Sequence, residues 1–205
     1  MSNKWLDWGL RIQGIAQSGL TYCENQYDID RYCKLREIAA EIMADGSGHS
    51  RDEVIDFFLA EKGYATPKID VRGVVFRDDK ILLVKEMVDG GWTLPGGWAD
   101  IGDAPSEAVE REILEESGYE AKAAKVLAVF DRNKHPHPLM AQHIYKIFIL
   151  CELTGGEART SFETLDVGWF AEDEIPPLSA GRTTPQQITR LFEHHRSPDL
   201  PADFD

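Results

Sequence analysis

The sequence predicts an α+β chain in two parts: a helical domain over residues 1–64, then a mixed strand-and-helix domain over residues 65–205. Three observations carry that expectation. Apolar residues recur at three- and four-residue steps through roughly the first 60 positions, the period of helices that pack by one face. From Pro67 onward the pattern changes to alternation and to short apolar runs, the signatures of strands. One later stretch, Gly97 to Tyr119, returns to helical spacing and gathers Glu112, Glu115 and Glu116 at i, i+3 and i+4. A length of 205 residues suits one large or two small domains, and no internal repeat or low-complexity segment interrupts it.

In the first part, Trp5, Trp8, Ile12, Ile15 and Ala16 form one helical stripe. Gly9, Gly14 and Gly19 weaken that helix, which is expected to end near Ser18-Gly19. Trp5, Trp8 and Tyr22 read as core or interface packing before a ligand cage. A second stripe runs through Tyr32, Leu35, Ile38, Ala39, Ile42 and Met43, with Asp28 or Asp30 as cap and Asp45-Gly46-Ser47-Gly48 as breaker. Ser50-Arg51-Asp52-Glu53 is a capping-box pattern ahead of Val54, Phe57 and Phe58, and Lys62-Gly63 closes this third helix. The domain boundary falls near residues 63–67.

In the second part, Ile69 and Val71 alternate with charged residues before Val74-Val75-Phe76, a strand entering a core. Asp78-Asp79 is a turn, residues 81–84 a buried strand, Asp89-Gly90-Gly91 a loop and Trp92-Thr93-Leu94 a short strand. Further strands are expected near residues 126–130, 144–152 and 167–170. A last helix takes Thr184 as its cap and Pro185 as its first residue, and buries Ile188, Leu191 and Phe192.

The acidic helix follows a Gly-rich turn, Leu94-Pro95-Gly96-Gly97. Asp103 suits its N-cap, Pro105 its first turn and Gly118 its left-handed stop. At ~100° per residue the three glutamates lie within an arc of roughly 100°. Like charges so placed cost a few tenths of a kcal/mol on an isolated helix. A hard cation such as Mg²⁺ or Mn²⁺ reverses that sign, because it prefers carboxylate oxygens. A bare pair of glutamates is ordinarily a solvated face; the loop, helix, loop setting is what points to a metal. Crowding is expected to raise the metal-free carboxyl pKa values.

This stretch resembles the signature box of the Nudix hydrolases on Gly97, Asp103, Arg111, Glu112, Ile113, Glu115, Glu116, Gly118 and Tyr119. There is one departure: Asp103 stands where the box has Glu, with the same charge and one methylene less. IQGIAQSGLTY and RYCKLREIAAEIM resemble the helical domain that precedes the Nudix domain in a subgroup acting on X-linked nucleoside diphosphates, and DRNKHPHP resembles that subgroup too. The resemblance implies a Nudix α/β/α sandwich with a mixed sheet. It implies hydrolysis of the pyrophosphate bond of ADP-ribose- or CDP-choline-type compounds, giving a nucleoside monophosphate and X-phosphate. It implies Mg²⁺ or Mn²⁺ held by Glu112, Glu115, Glu116 and the Gly96 carbonyl, with a helix glutamate or Glu163 taking the proton of the attacking water. Arg111 is expected to orient Glu112 or hold Asp103. Glu163 either joins the site or is an exposed loop acid. Two other readings are a nucleoside triphosphate or RNA 5′-end pyrophosphohydrolase, and a non-catalytic ligand-sensing Nudix module.

Beyond the phosphates the candidates are weaker. Arg72 on the first strand faces nucleotide or solvent, and Trp98 stacks on a base or simply packs. Arg132, His135 and His137 sit in a proline-stiffened loop that suits an anion. A formal net charge of −14 disfavours nucleic acid or an anionic membrane as partner, while metals can still bring a phosphate substrate in. Cys23, Cys33 and Cys151 lack zinc-site spacing and read as idle thiols in a reducing cytoplasm. No secretory h-region and no apolar run of ~20 residues is present. The apolar helical stripes make a homodimer the expected assembly.

Overall fold

Small residues hold helix α1 (Lys4–Tyr22) against α2 (Gln26–Ser47). This is a computed structural model, which describes residues 4–138, 140 and 142–205. A Cβ on Gly19 would stand 2.4 Å from the Tyr32 ring, and one on Gly9 2.7 Å from Met43 Cγ. These glycines therefore serve close helix approach, and Gly19 does not end the helix near Ser18 as its low propensity suggests. The helix runs on to Tyr22, because tertiary contact outweighs a propensity cost of ~1 kcal/mol.

The buried face of α1 is Gly9, Gln13, Ala16 and Gln17. Trp5 and Ile15 are instead 61% and 60% exposed. Trp5 meets Trp8 edge-on at 4.9 Å, whereas Tyr22 pairs with Tyr64 at 6.5 Å, so the three aromatic residues form no common cage. The cap of α2 is Asn25, whose side chain accepts from Tyr27 N at 2.9 Å. Asp28 and Asp30, the expected caps, bond Arg31 and Lys34 one turn along. Helix α3 (Arg51–Ala60) carries the expected Ser50–Glu53 capping box. Ala39, Ala40, Met43, Val54 and Phe58 form the core of these helices.

The chain divides into two compact units, Met1–Pro67 with Leu139–His143, and Lys68–Pro138 with Ile144–Asp205. The second unit contains β1 (Lys68–Arg77), β2 (Lys80–Glu86), β3 (Trp92–Thr93), α4 (Pro105–Ser117), β4 (Tyr119–Asp131), β5 (Ile144–Gly156), β6 (Thr164–Phe170), α5 (Pro185–Arg196) and β7 (Asp203–Phe204). The sheet order is β3-β2-β1-β5-β4-β7, with β6 paired to β2. β1–β5 and β4–β7 are parallel and the other pairs antiparallel, so the sheet is mixed. Helix α4 covers one face through Ala108, Val109 and Ile113 against Val71, Val75 and Ile149. Helix α5 covers the other through Ile188, Leu191 and Phe192 against Val74, Ala128 and Phe148.

Strand β4 starts well before the expected Val126, because its first half, Tyr119–Lys125, alternates alanine with charge and lacks an apolar strand signal. β1 and β2 pair only at the Asp78-Asp79 turn end, through Phe76↔Ile81 and Arg77↔Lys80. The rest of that β1 edge is filled by the Gly-rich segment: Val71 N donates to Gly97 O and Gly73 N to Pro95 O, both at 2.8 Å. Among the described residues no helix is long and apolar enough to cross a membrane.

Candidate active site

The same edge pairing sets the Gly-rich turn beside α4. Gly73 helps from below, since a Cβ there would stand 2.6 Å from Ile113, so only glycine lets α4 lie this close to β1. The N-cap of α4 is Ala104 and not Asp103. Glu107 takes the Ala104 N–H at 2.9 Å, which frees Asp103 to accept from Arg111 Nε at 3.3 Å. The shorter acid thus still reaches the arginine. Gly118, at φ 77°, closes the helix by donating to Leu114 O.

Glu116 is only 5% exposed, and its Oε2 accepts from Gly96 N at 2.8 Å. Burial pushes its carboxyl up to about 7; Arg72 and the Gly96 N–H pull it back only in part. Burial also raises Glu112, against the pull of Arg111. The expected crowding contributes, through Glu115 on Glu112 and Glu112 on Glu116, but desolvation is the larger cause. Arg111 spans the acidic face: its Nη1 lies 2.9 Å from Glu112 and 3.2 Å from Glu115, and its Nη2 3.3 Å from Asp100.

These groups open on a cleft of about 530 Å³ lined by Arg111, Glu112, Glu115, Glu116, Arg159, Phe162 and Glu163. Glu163 therefore lines the same cleft as the helix glutamates. Among the described residues, no three His, Cys, Asp or Glu side chains are already drawn round one point. The donor chemistry nonetheless fits a hard divalent ion. The candidate donors are three carboxylates and one backbone carbonyl, all oxygen, and among the described residues Glu116 is desolvated with no cation hydrogen-bonded to it, a cost that a bound cation would offset.

The other candidates lie elsewhere. Trp98 is half-exposed, with its backbone bridged to Asp70. Arg72 does not face solvent: it is buried, with Nε and Nη2 each 2.8 Å from Asp70 and Nη1 3.1 Å from Leu94 O. Arg132 is buried, reaching Gly181 O at 3.4 Å. His135 donates to Asp205 at 3.2 Å. His137 Nδ1 donates to Ala180 O at 2.8 Å, and burial pushes this imidazole down to about 4, so it is neutral. Sequence reasoning missed Lys146, which is buried and 3.0 Å from Asp70. A signal existed: Ile144, Lys146 and Phe148 are alternate residues of one strand, which places a lysine on an apolar face.

Comparison with known proteins agrees with this architecture. Residues 3–58 match the family profile described as a UDP-X-like, N-terminal oligomerisation domain, and residues 66–192 match the NUDIX domain. A protein of Bacillus subtilis (strain 168) that bears the provisional name ADP-ribose pyrophosphatase is 47% identical over 205 residues, covering 100% of this chain and 99% of its own. The crystal structure of a UDP-X diphosphatase is 32% identical with a TM-score of 0.64, covering 99% of this chain and 98% of that one. An ADP-ribose pyrophosphatase from Streptococcus suis 89-1591 is 41% identical with a TM-score of 0.63, covering 68% of this chain and 100% of that one.

Proposed function

The chain belongs to the Nudix hydrolase family as one of its pyrophosphohydrolases, and from that we propose that it cleaves the pyrophosphate bond of a nucleoside diphosphate linked to a further moiety X. The products are a nucleoside monophosphate and X-phosphate. The observation that carries this reading is the desolvated Glu116, fixed by the Gly96 N–H at 2.8 Å beside Glu112 and opening on the cleft. Glu112, Glu115 and Glu116, with the Gly96 carbonyl, would hold Mg²⁺ or Mn²⁺. When bound, the ion supplies positive charge against the diphosphate oxygens and Lewis-acid activation of water.

The chain's own residues do the rest. Arg111 holds Glu112 and Glu115 on one side of the helix, a positioning role suited to a guanidinium fork. Glu163, from the facing loop, or one of the helix glutamates takes the proton of the attacking water. Related proteins named for ADP-ribose and for UDP-X support the substrate class. The helical unit, whose match is to an oligomerisation domain, supports a homodimer.

The test is a panel of ADP-ribose, CDP-choline, a UDP-sugar and a nucleoside triphosphate, with Mg²⁺ or Mn²⁺ and with excess chelator, read by phosphate-product analysis. Expected is nucleoside monophosphate from at least one X-linked diphosphate, abolished by chelator. Turnover of the triphosphate alone, or undiminished turnover in chelator, would sink the reading.

A further inference from the structure

On the α5 side of the sheet lies a group of charges that the glutamate cleft does not use. Arg72, Arg132 and Lys146 are 3%, 2% and 1% exposed. One carboxylate, Asp70, is shared between two of them, with Arg72 at 2.8 Å and Lys146 at 3.0 Å. Glu86 and Glu116 also attract Arg72, but Glu86 is engaged by Arg182 and Glu116 by the Gly96 N–H. Arg132 makes one long contact to Gly181 O at 3.4 Å, and among the described residues its buried Nε has no partner. Lys146 feels both arginines as like charges, and burial pushes its ammonium down to about 7. The neighbouring His137 is neutral and adds no negative charge.

Of these three buried basic groups, Arg72 and Lys146 share Asp70, Glu86 and Glu116 attract Arg72 besides, and Arg132 alone has no carboxylate hydrogen-bonded to it among the described residues. Buried charges are ordinarily paired or coordinated. A buried guanidinium with an unused donor and no bonded carboxylate calls for a ligand that brings negative charge. Arginine forks and a lysine are the groups that bind phosphate oxygens. Arg72 joins the two regions: it is hydrogen-bonded to Leu94 O within the Gly-rich segment and attracted by Glu116.

We propose that Arg72, Arg132 and Lys146 form a metal-independent subsite for a phosphate group. It rests on the hydrolase reading above, and in turnover it takes a phosphate of the substrate's diphosphate or a free phosphate.

The experiment is calorimetric titration of the full chain in excess chelator with inorganic pyrophosphate, inorganic phosphate and AMP. Lys146→Met, Arg132→Met and Arg132→Lys variants are compared, and the melting temperature of each is recorded. Pyrophosphate is expected to bind the unaltered chain. Each Met variant should weaken it at least tenfold; Arg132→Met should leave melting unchanged or raised, because it removes a buried charge with no bonded carboxylate, whereas Lys146→Met gives up the ion pair with Asp70 and should melt lower. Arg132→Lys should keep most of the binding. Pyrophosphate or AMP binding more tightly than phosphate assigns the subsite to the substrate; equal binding of phosphate assigns it to the free ion. No binding of any probe, equal binding by the Met variants, or a lowered melting temperature with binding unchanged would each overturn the proposal. If Lys146→Met does not fold, the two Arg132 variants decide. Binding without hydrolysis would sink the hydrolase reading alone; hydrolysis without chelator-resistant binding would sink the subsite alone.

Discussion

Glu116 concentrates the electrostatics of the cleft. Its carboxyl is raised to about 7 in the folded metal-free chain, against an ordinary value of 4.5. The folded state therefore binds more protons than the unfolded state between those values. The stability this group contributes is complete below about 4.5 and is lost as pH rises through about 7. The loss is up to ~3 kcal/mol for a shift of this size. Thermal melts in chelator should show the metal-free chain losing stability from pH 5 to 8, and Glu116→Gln should remove much of that slope. A slope unchanged in the variant would assign it to other groups. Added Mg²⁺ should stabilise the unaltered chain more at pH 8 than at pH 6, because protons compete for the same oxygens. In the assay with metal, Glu116→Gln should lower kcat by roughly 10²–10⁴-fold; a loss under about threefold would remove it from the site.

At the scale of elements, two close approaches set the architecture. Gly96 has φ 141°, and a Cβ there would stand 2.1 Å from Val71 O. Gly96→Ala should destabilise the chain by about 3 kcal/mol in equilibrium denaturation, through backbone strain and a backbone clash together. It should also lower activity, since the turn that orients Glu116 is displaced. Gly19→Ala sets two effects against each other. Helix propensity favours alanine by ~1 kcal/mol, while the Tyr32 ring lies 2.4 Å from the new methyl. Overpacking of this kind costs ~1–3 kcal/mol, so a net loss is expected; a more stable variant would mean that α1 and α2 do not approach this closely. The Ser50–Glu53 capping box and the Thr184 cap were readable from spacing, while the part of Gln187 in a second box came from the structure. Asn25 as the cap of α2 was not, because several side chains in that stretch can cap and only the chain path selects one.

For the whole molecule, the helical unit exposes large apolar side chains: Trp5, Ile15, Tyr22 and Tyr27 are each at least 60% exposed. An apolar surface of this kind usually has a partner, and the match to an oligomerisation domain supports a second copy. Light scattering at micromolar concentration should give a dimeric mass, and a Trp5→Glu, Ile15→Glu double variant should shift it toward the monomer without unfolding. A single monomeric mass for the unaltered chain would defeat the dimer. The α1 stripe was legible in sequence, but its direction was not. Periodicity names a face, and what lies against that face depends on residues far along the chain.

The sequence by itself determined the α+β class, most elements and the shared face of Glu112, Glu115 and Glu116, because helical spacing and turn chemistry are local. Only the tertiary structure decided that Glu116 is desolvated against Gly96, that Glu163 lines the same cleft, and that Arg72, Arg132 and Lys146 are buried, the first and last sharing Asp70. Burial and charge balance are sums over neighbours brought together by the sheet. A lysine at position 146 carries no mark of its surroundings until β1 and β5 lie side by side.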